Sequence, residues 1–599
     1  MKYPTLTELN ASREMIDVFR GYNHNLRIGE GEFYDMTNLT SADYPVLSPR
    51  PKRGIYESPT KPLGMISKDG FCYVDGSDFY INKKKVDELE PLNNSPKTLI
   101  SMGAYVIIMP DKVYVNTENY DDNGKIEGEF IATSGIAKFT LCKLDGTEYK
   151  NTDAKGNVVE VPATPSAPGS PKNLDYWIDT SSTPHTLKQY AATTAQWTSV
   201  PTTYIKITFP NTTIDLRNQF SANDGVTISG ITLNGLEDLN NTMVVWEVGT
   251  NYIVVIGILD EVRDQPITSD KPITIERRMP EMDFIIESGN RLWGCKYGLS
   301  RDKKIVNEIY ASKLGDFKNW HCYAGISTDS YAATVGTDGK FTGAITHLGY
   351  PLFFKENCIH KVYGNYPANY QIQTIACRGV QDGCSKSLAI VNEVLYYKSR
   401  SAICAYDGSL PVEMSSALGD ITYSNAVAGV LGNKYYISMQ DASKDYHLFA
   451  YDTQKGMWHR EDNTQVSDFC NCLGNLYYID YEYNQIKTIV HGTESDLDEG
   501  SVEWEAVTGL IGTDSPDKKY ISRLVVRLSL EVGTAISFSI EYDSSGSWEH
   551  LFSMTGTSLR SFPMPIRPRR CDHLRLKIEG KGNAKIYSIC KTIEQGSDV

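Results

Sequence analysis

The sequence predicts an all-β protein: a β-propeller of about seven blades, with an inserted small β domain and a C-terminal jelly-roll-like β-sandwich. Three observations carry this. Tyr (38), Phe (18) and Trp (8) outweigh Met (14), and with abundant Thr, Ser, Gly and Asn they favour strands and turns over helices. A short grammar recurs: an apolar run, a tight turn at Gly or Asn, and an aromatic-rich strand leaving it. Near the C-terminus three segments alternate apolar and polar residues strictly, as strands with one buried face do. At 599 residues the chain exceeds what one core supports, so several domains are expected.

Residues 1–60 read as an N-terminal arm with a closing strand. A short helix is expected around residues 12–19, and Pro45, Pro49 and Pro51 hold the later path extended. Gly29 and Gly31 lack the third glycine and the strand-to-helix setting of a phosphate loop, and read as an exposed turn. The basic run Arg50-Pro51-Lys52-Arg53 and its counterpart Arg567-Pro568-Arg569-Arg570 stand isolated in an acidic chain. Protein docking or a solvated turn suits them better than a grip on phosphates.

Residues 61–125 hold the first two blades, with turns at Gly70 and Gly103. A ring of blades needs strands distant in sequence to share a sheet, and residues 54–62 are placed to complete the last one. The repeat then breaks for an insertion of about 145 residues, within residues 126–282. It opens with a Pro-rich linker over 161–171, too poor in apolar side chains to bury a core. An aromatic module follows around Trp177, Tyr190 and Trp197. Its rings offer stacking faces to a sugar or a partner protein, and the plainer reading is a mini-core around Trp177 and Trp197. Residues 201–282 read as a small antiparallel barrel suited to an assembly contact.

From 283 to 492 the repeat resumes, anchored at Gly289, Gly349, Asn392, Gly432 and Gly474. After one longer step the anchors recur about every 40 to 43 residues, the period of four-stranded blades. Trp293, Cys295 and Trp320 in the first of these units read as blade packing. Residues 491–500 are acidic and polar, a solvated linker without the glycine-centred spacing of a calcium loop. Residues 501–599 form the sandwich, with Val526, Leu528, Leu530 and Val532, then Ile536, Phe538, Ile540 and Tyr542, then Leu574, Leu576 and Ile578 on the alternating apolar face.

The formal charge of -15 and the pI near 5.3 disfavour a general nucleic-acid binder. An acidic channel, however, lets DNA slide without sticking. Twelve cysteines are scattered, the closest being Cys470-x-Cys472, and read as reduced buried thiols rather than metal ligands. No stretch reaches the roughly 18 apolar residues of a membrane helix, and the N-terminus lacks a signal-peptide core. Nucleophile-elbow, zinc-protease and phosphate-loop motifs are absent from the sequence, so no catalytic, metal or cofactor-binding residue is assigned. A glycosidase needs only two carboxylates brought together by the fold, and acidic residues sit beside aromatics in, for example, Glu503-Trp504-Glu505 and Asp480-Tyr481-Glu482-Tyr483.

Residues 18–25 (Val-Phe-Arg-Gly-Tyr-Asn-His-Asn), the segment from Asp35-Met36-Thr37-Asn38-Leu39 to Arg53-Gly54, and the blade pattern Asn290-Arg291-Leu292-Trp293 with Tyr310-Ala311-Ser312 through Trp320 carry a family likeness. Together they resemble the propeller-bearing tail nozzle, or tail hub, of short-tailed bacteriophages. The resemblance implies a non-enzymatic virion component of the tail, assembled in the host cytoplasm. It implies a homo-oligomeric ring, a hexamer, around the DNA exit channel, docked to other tail proteins such as the adaptor and fibres. DNA would pass transiently without specific binding. The aromatic module and the sandwich lie outside the nozzle pattern. They support the alternative of a phage adhesin that binds host surface glycan, and a propeller glycosidase ranks below it.

Overall fold

The computed structural model describes residues 11–210, 215–493, 497–513, 518–567 and 569–595. Among them every regular element is a strand apart from five single 3-10 turns. The chain is all-β.

Seven small antiparallel sheets follow one another among the described residues, beginning at Pro62, Thr98, Phe284, Gly343, Ala389, Ser424 and Val466. Each is built from consecutive strands in up-and-down order. In each one the hairpin between the first two strands contains the anchor expected from the sequence: Gly70, Gly103, Gly289, Gly349, Asn392, Gly432 or Gly474. All seven residues have positive φ, a conformation that glycine adopts freely and asparagine tolerates. The seventh sheet takes its fourth strand from the start of the chain, because Gly54–Glu57 lies antiparallel to Gln485–Thr488 with Gly54 opposite Thr488. Leu497–Asp498 covers the outer edge of that strand.

Two compact units divide the chain. In the first, formed by Met1–Ser101, Phe341–Lys361 and Gln373–Val599, neighbouring sheets pack face to face. Tyr396 of the fifth sheet lies 5.4 Å from Tyr435 of the sixth, and Tyr436 and Ala450 of the sixth pack on Leu476 and Tyr478 of the seventh. Phe71 and Tyr73 of the first sheet pack on Cys470, Cys472 and Tyr477 of the seventh, with the Phe71 and Tyr477 rings stacked at 4.2 Å. Within this unit the first sheet therefore meets the last.

The same unit holds a larger sheet organised by the 24-residue strand Lys519–Tyr542. Glu549–Met564 pairs along one of its edges. Along the other, Ala584–Gln595 pairs as far as Leu530 and Leu574–Lys581 takes over from Ala535. Between those two partners the pairing is interrupted at residues 531–534, where Val532 is fully exposed. The alternation seen in the sequence holds except at Val532: Leu524, Val526, Leu528, Leu530, Ile536, Phe538, Ile540, Tyr542, Leu574, Leu576 and Ile578 share one core. Residues 11–37 are woven into this sheet rather than standing off as an arm. Glu32–Thr37 pairs with Glu503–Thr508, Tyr22 pairs with Trp458 of the sixth sheet, and Phe19, Tyr22, Phe33 and Met36 are buried in the C-terminal core.

One local expectation is corrected here. The helix expected over 12–19 is the strand Ala11–Ile16, antiparallel to Ala584–Gln595 with Ile16 opposite Ile589. The spacing of Met15, Ile16 and Phe19 fits a helical face, but so short a helix gains little from local bonds alone. The open edge of the C-terminal strand offers a full row of backbone partners.

The second unit comprises Met102–Lys340 and Val362–Ile372. Tyr105 and Tyr114 of the second sheet pack on Phe317, in the loop that follows Ile305–Ala311 of the third. The insertion adds an eight-stranded antiparallel sheet around its own core of Phe139, Ile207, Phe209, Val245, Ile253 and Ile275. Buried Asp224 ties this sheet to the third-sheet loop, pairing with Arg277 and accepting a bond from Asn319 Nδ2 at 2.8 Å.

Candidate functional site

The aromatic module is a four-stranded sheet of Ala163–Thr164, Tyr176–Asp179, Thr186–Ala191 and Gln196–Ser199. Trp177 lies opposite Lys188, and Tyr190 opposite Trp197. Because side chains alternate along strands, Trp177, Asp179, Lys188, Tyr190 and Trp197 share one face. Ile178 and Leu187 take the other, packing on Tyr149, Leu141 and Val161. The module's own core therefore sits behind the sheet, and the two tryptophans lie on the face turned away from it.

On that face the Trp197 ring is 5.4 Å from Trp177 and 5.2 Å from Tyr190. Trp177 is 5 % exposed, and its Nε1 donates to the Thr164 carbonyl and hydroxyl at 3.0 Å. The Lys188 ammonium lies 5.0 Å from the Trp177 ring centroid and donates to Asp179 at 2.7 Å. The Lys188 bond, aided by the Ser181 hydroxyl, holds the Asp179 carboxyl down at about 2. Trp177 is thus a buried support, while Tyr190 and Trp197 are half-exposed. What the face offers is two ring surfaces beside a fixed ion pair, suited to stacking and hydrogen bonding.

A cavity of about 400 Å³ opens at the module's inner edge, lined by Tyr149, Lys150, Glu160, Ile178 and Asp260 among others. Its charges answer one another. Lys150 meets Glu148 at 3.2 Å and Glu160 at 2.6 Å, and His185 Nδ1 lies 2.6 Å from Asp260.

Of the four carboxylates singled out beside aromatics, three are engaged by lysines and Glu482 is exposed. Asp480 is buried, bonded by Lys487 at 2.7 Å. Glu503 meets Lys581 at 2.9 Å and Glu505 meets Lys577 at 3.2 Å, while Trp504 between them is buried and donates to the Gly582 carbonyl at 3.0 Å. Among the described residues no three His, Cys, Asp or Glu side chains gather as metal ligands would.

The basic run at 50–53 behaves differently from its sequence reading. Arg50 and Arg53 are each 4 % exposed. Arg53 donates to Glu461 at 2.6 Å, Asp462 at 2.7 Å and the Thr464 hydroxyl at 3.1 Å. Arg50 grips Glu499 with both terminal nitrogens, so the segment read as a solvated linker supplies a ligand to a buried charge. Of the basic run's three cations Lys52 alone is exposed, paired with Asp498 at 2.9 Å. These partners lie more than 400 residues away in sequence, so no local pattern could announce them. Glu494, Ser495 and Asp496 of that linker, and Pro568 of the second basic run, lie outside the described residues. In that second run Arg569 pairs with Glu549 at 2.5 Å and is exposed.

No protein-family model matches the chain, and a search of curated sequences returns no match. Distant likenesses exist among solved structures. An exo-β-1,3-galactanase from Phanerochaete chrysosporium shares 10 % identity over 51 % of this chain and 94 % of its own, with a TM-score of 0.21. An engineered GH43 glycoside hydrolase shares 8 % over 53 % of this chain and 98 % of its own, at 0.19. A Trypanosoma rangeli sialidase mutant shares 10 % over 77 % of this chain and 96 % of its own, at 0.15. Scores of this size carry no argument about fold or chemistry.

Proposed function

We propose that this protein is a structural component of a bacteriophage tail: a seven-bladed propeller with an inserted β-barrel and a jelly-roll-like C-terminal sandwich. Identical subunits stand in a ring, the nozzle or hub, around the DNA exit channel and dock the adaptor and fibres. The observation that carries this reading is the seal between Gly54–Glu57 and the seventh sheet, joined to the packing of that sheet on the first. Sealed arrays have no free blade edge to slip or aggregate, as a load-carrying ring element requires. The negative charge suits a lumen that DNA traverses without binding, and the carboxylates engaged by lysines favour a scaffold over a hydrolase.

Electron microscopy of purified particles tests the proposal. Density for a ring of this chain on the tail axis is the expected outcome, and peripheral density would overturn it. A second reading rests on the half-exposed Tyr190 and Trp197: an adhesin whose module binds host surface glycan. It requires that W197A abolish adsorption while leaving particles intact.

A further inference from the structure

We infer that one β-sheet runs from each copy of this chain into the next, with the edge strand Glu549–Met564 pairing antiparallel to Ala11–Ile16 of the neighbouring copy. The inference rests on the ring reading and supplies its joint.

These two strands are opposite edges of the same sheet. The order across its first wing is Ala11–Ile16, Ala584–Gln595, Lys519–Tyr542, Glu549–Met564, every neighbour antiparallel. With four strands the two edges run in opposite directions, so setting one copy beside the next continues the antiparallel alternation. Among the described residues neither outer edge has a backbone partner. An unpaired edge of 16 residues is unusual, because natural sheets keep edges short, charged or covered. This one is sparsely guarded, with Glu549, His550, Arg560 and Pro563 against Leu551, Phe552, Met554 and Phe562, which pack only partly on the core.

The side chains choose a second copy as the occupant and set the register. Leu559 is 53 % exposed on one edge and Met15 is 59 % exposed on the other. Arg560 is exposed and has no ion pair among the described residues, whereas Glu14 is half-exposed and bonded to Lys591 at 2.9 Å. Placing Arg560 opposite Glu14 of the neighbour puts Leu559 opposite its Met15, so one register matches both the charges and the apolar side chains. Directly opposed side chains are the unit of cross-strand stabilisation. The contact is head-to-tail, the kind that closes into a ring when its rotation permits. A stagger between joined strands is what a closing sheet requires.

The test uses the full-length chain. Sedimentation and mass photometry should show R560E and E14R each raising the concentration needed for assembly about tenfold, since the lost pair recurs at every joint. The R560E/E14R double variant should recover most of that loss. Oxidation of an M15C/L559C variant should yield a ladder of covalent oligomers up to the ring size. A ring that forms normally while R560E and E14R are silent, or while the double-cysteine variant gives no ladder, overturns this joint and leaves the ring reading intact. An unmodified chain that stays monomeric at tens of micromolar, alone and with its tail partners, overturns both.

Discussion

Arg53 sits among two carboxylates, a hydroxyl and the Tyr478 ring, whose centroid is 5.6 Å away. Removing one partner of a buried pair strands the others. R53M should therefore lower stability by about 3–5 kcal/mol, read from the denaturant midpoint, whereas exposed Lys52 changed to Met should cost less than about 1 kcal/mol. Acid should unfold the protein in two stages. Burial, with help from Lys434, holds His459 down at about 3, and burial with Lys355 holds His360 at about 4. Below pH ~6.5 the unfolded chain takes up these protons first, so stability falls as pH falls. Burial alone would raise the Asp462 carboxyl, but Arg53 and Arg50 outweigh it and bring it to about 2. Its contribution is present above the unfolded value of ~4 and is lost as pH falls towards 2. Midpoints at pH 7, 5 and 3 check both stages, and a midpoint flat from 7 to 5 would contradict the histidine assignment. The aromatic module separates support from recognition. W177A should cost about 3–5 kcal/mol, and W197A about 1 kcal/mol, by the same measurement. Composition suggested these aromatics, yet only the strand register shows which ring is buried and which is open.

The sheets were legible because their turns demand particular residues. Gly or Asn at positive φ recurs where a hairpin must reverse, and that chemistry is local. The strand Gly54–Glu57 was legible for a different reason, since a closed array needs one strand from afar and only one short segment preceded the first unit. I55P should remove one backbone donor from the strand that lies between Gln485–Thr488 and Leu497–Asp498. Roughly 3 kcal/mol or more should be lost, with faster hydrogen exchange across residues 475–488. Unchanged exchange there would mean that the seal contributes little. The strand Ala11–Ile16 was not legible. Its partner is the C-terminal strand, and a six-residue segment read alone cannot reveal an edge waiting at the far end of the chain.

Twelve free cysteines, all buried or half-buried, report on the whole molecule. Cys470 and Cys472 lie where the first sheet meets the seventh, and burial pushes the Cys470 thiol far up. Thiolate reagents should label the native chain slowly and reach all twelve sites only after unfolding. Fast labelling of Cys470 or Cys472 in native protein would show that the contact between first and last sheets opens readily. The period was visible at this scale, but the continuity of the terminal sheet with the sixth sheet was not. That continuity runs through the single Tyr22–Trp458 pairing, and nothing in either neighbourhood marks it.

The strand that seals the seventh sheet also sets a timetable. Gly54–Glu57 leaves the ribosome early, while its partner Gln485–Thr488 follows about 430 residues later. At about 5–20 residues per second the segment waits roughly 20–90 s with its groups unpaired. Phe71 and Tyr73 wait for Tyr477 over the same interval. Closure can therefore occur only late in synthesis, and such long-range closure is slow and exposed to misassembly. Nascent chains halted before residue 466 should bind holdase chaperones, and release should coincide with the arrival of the final blade.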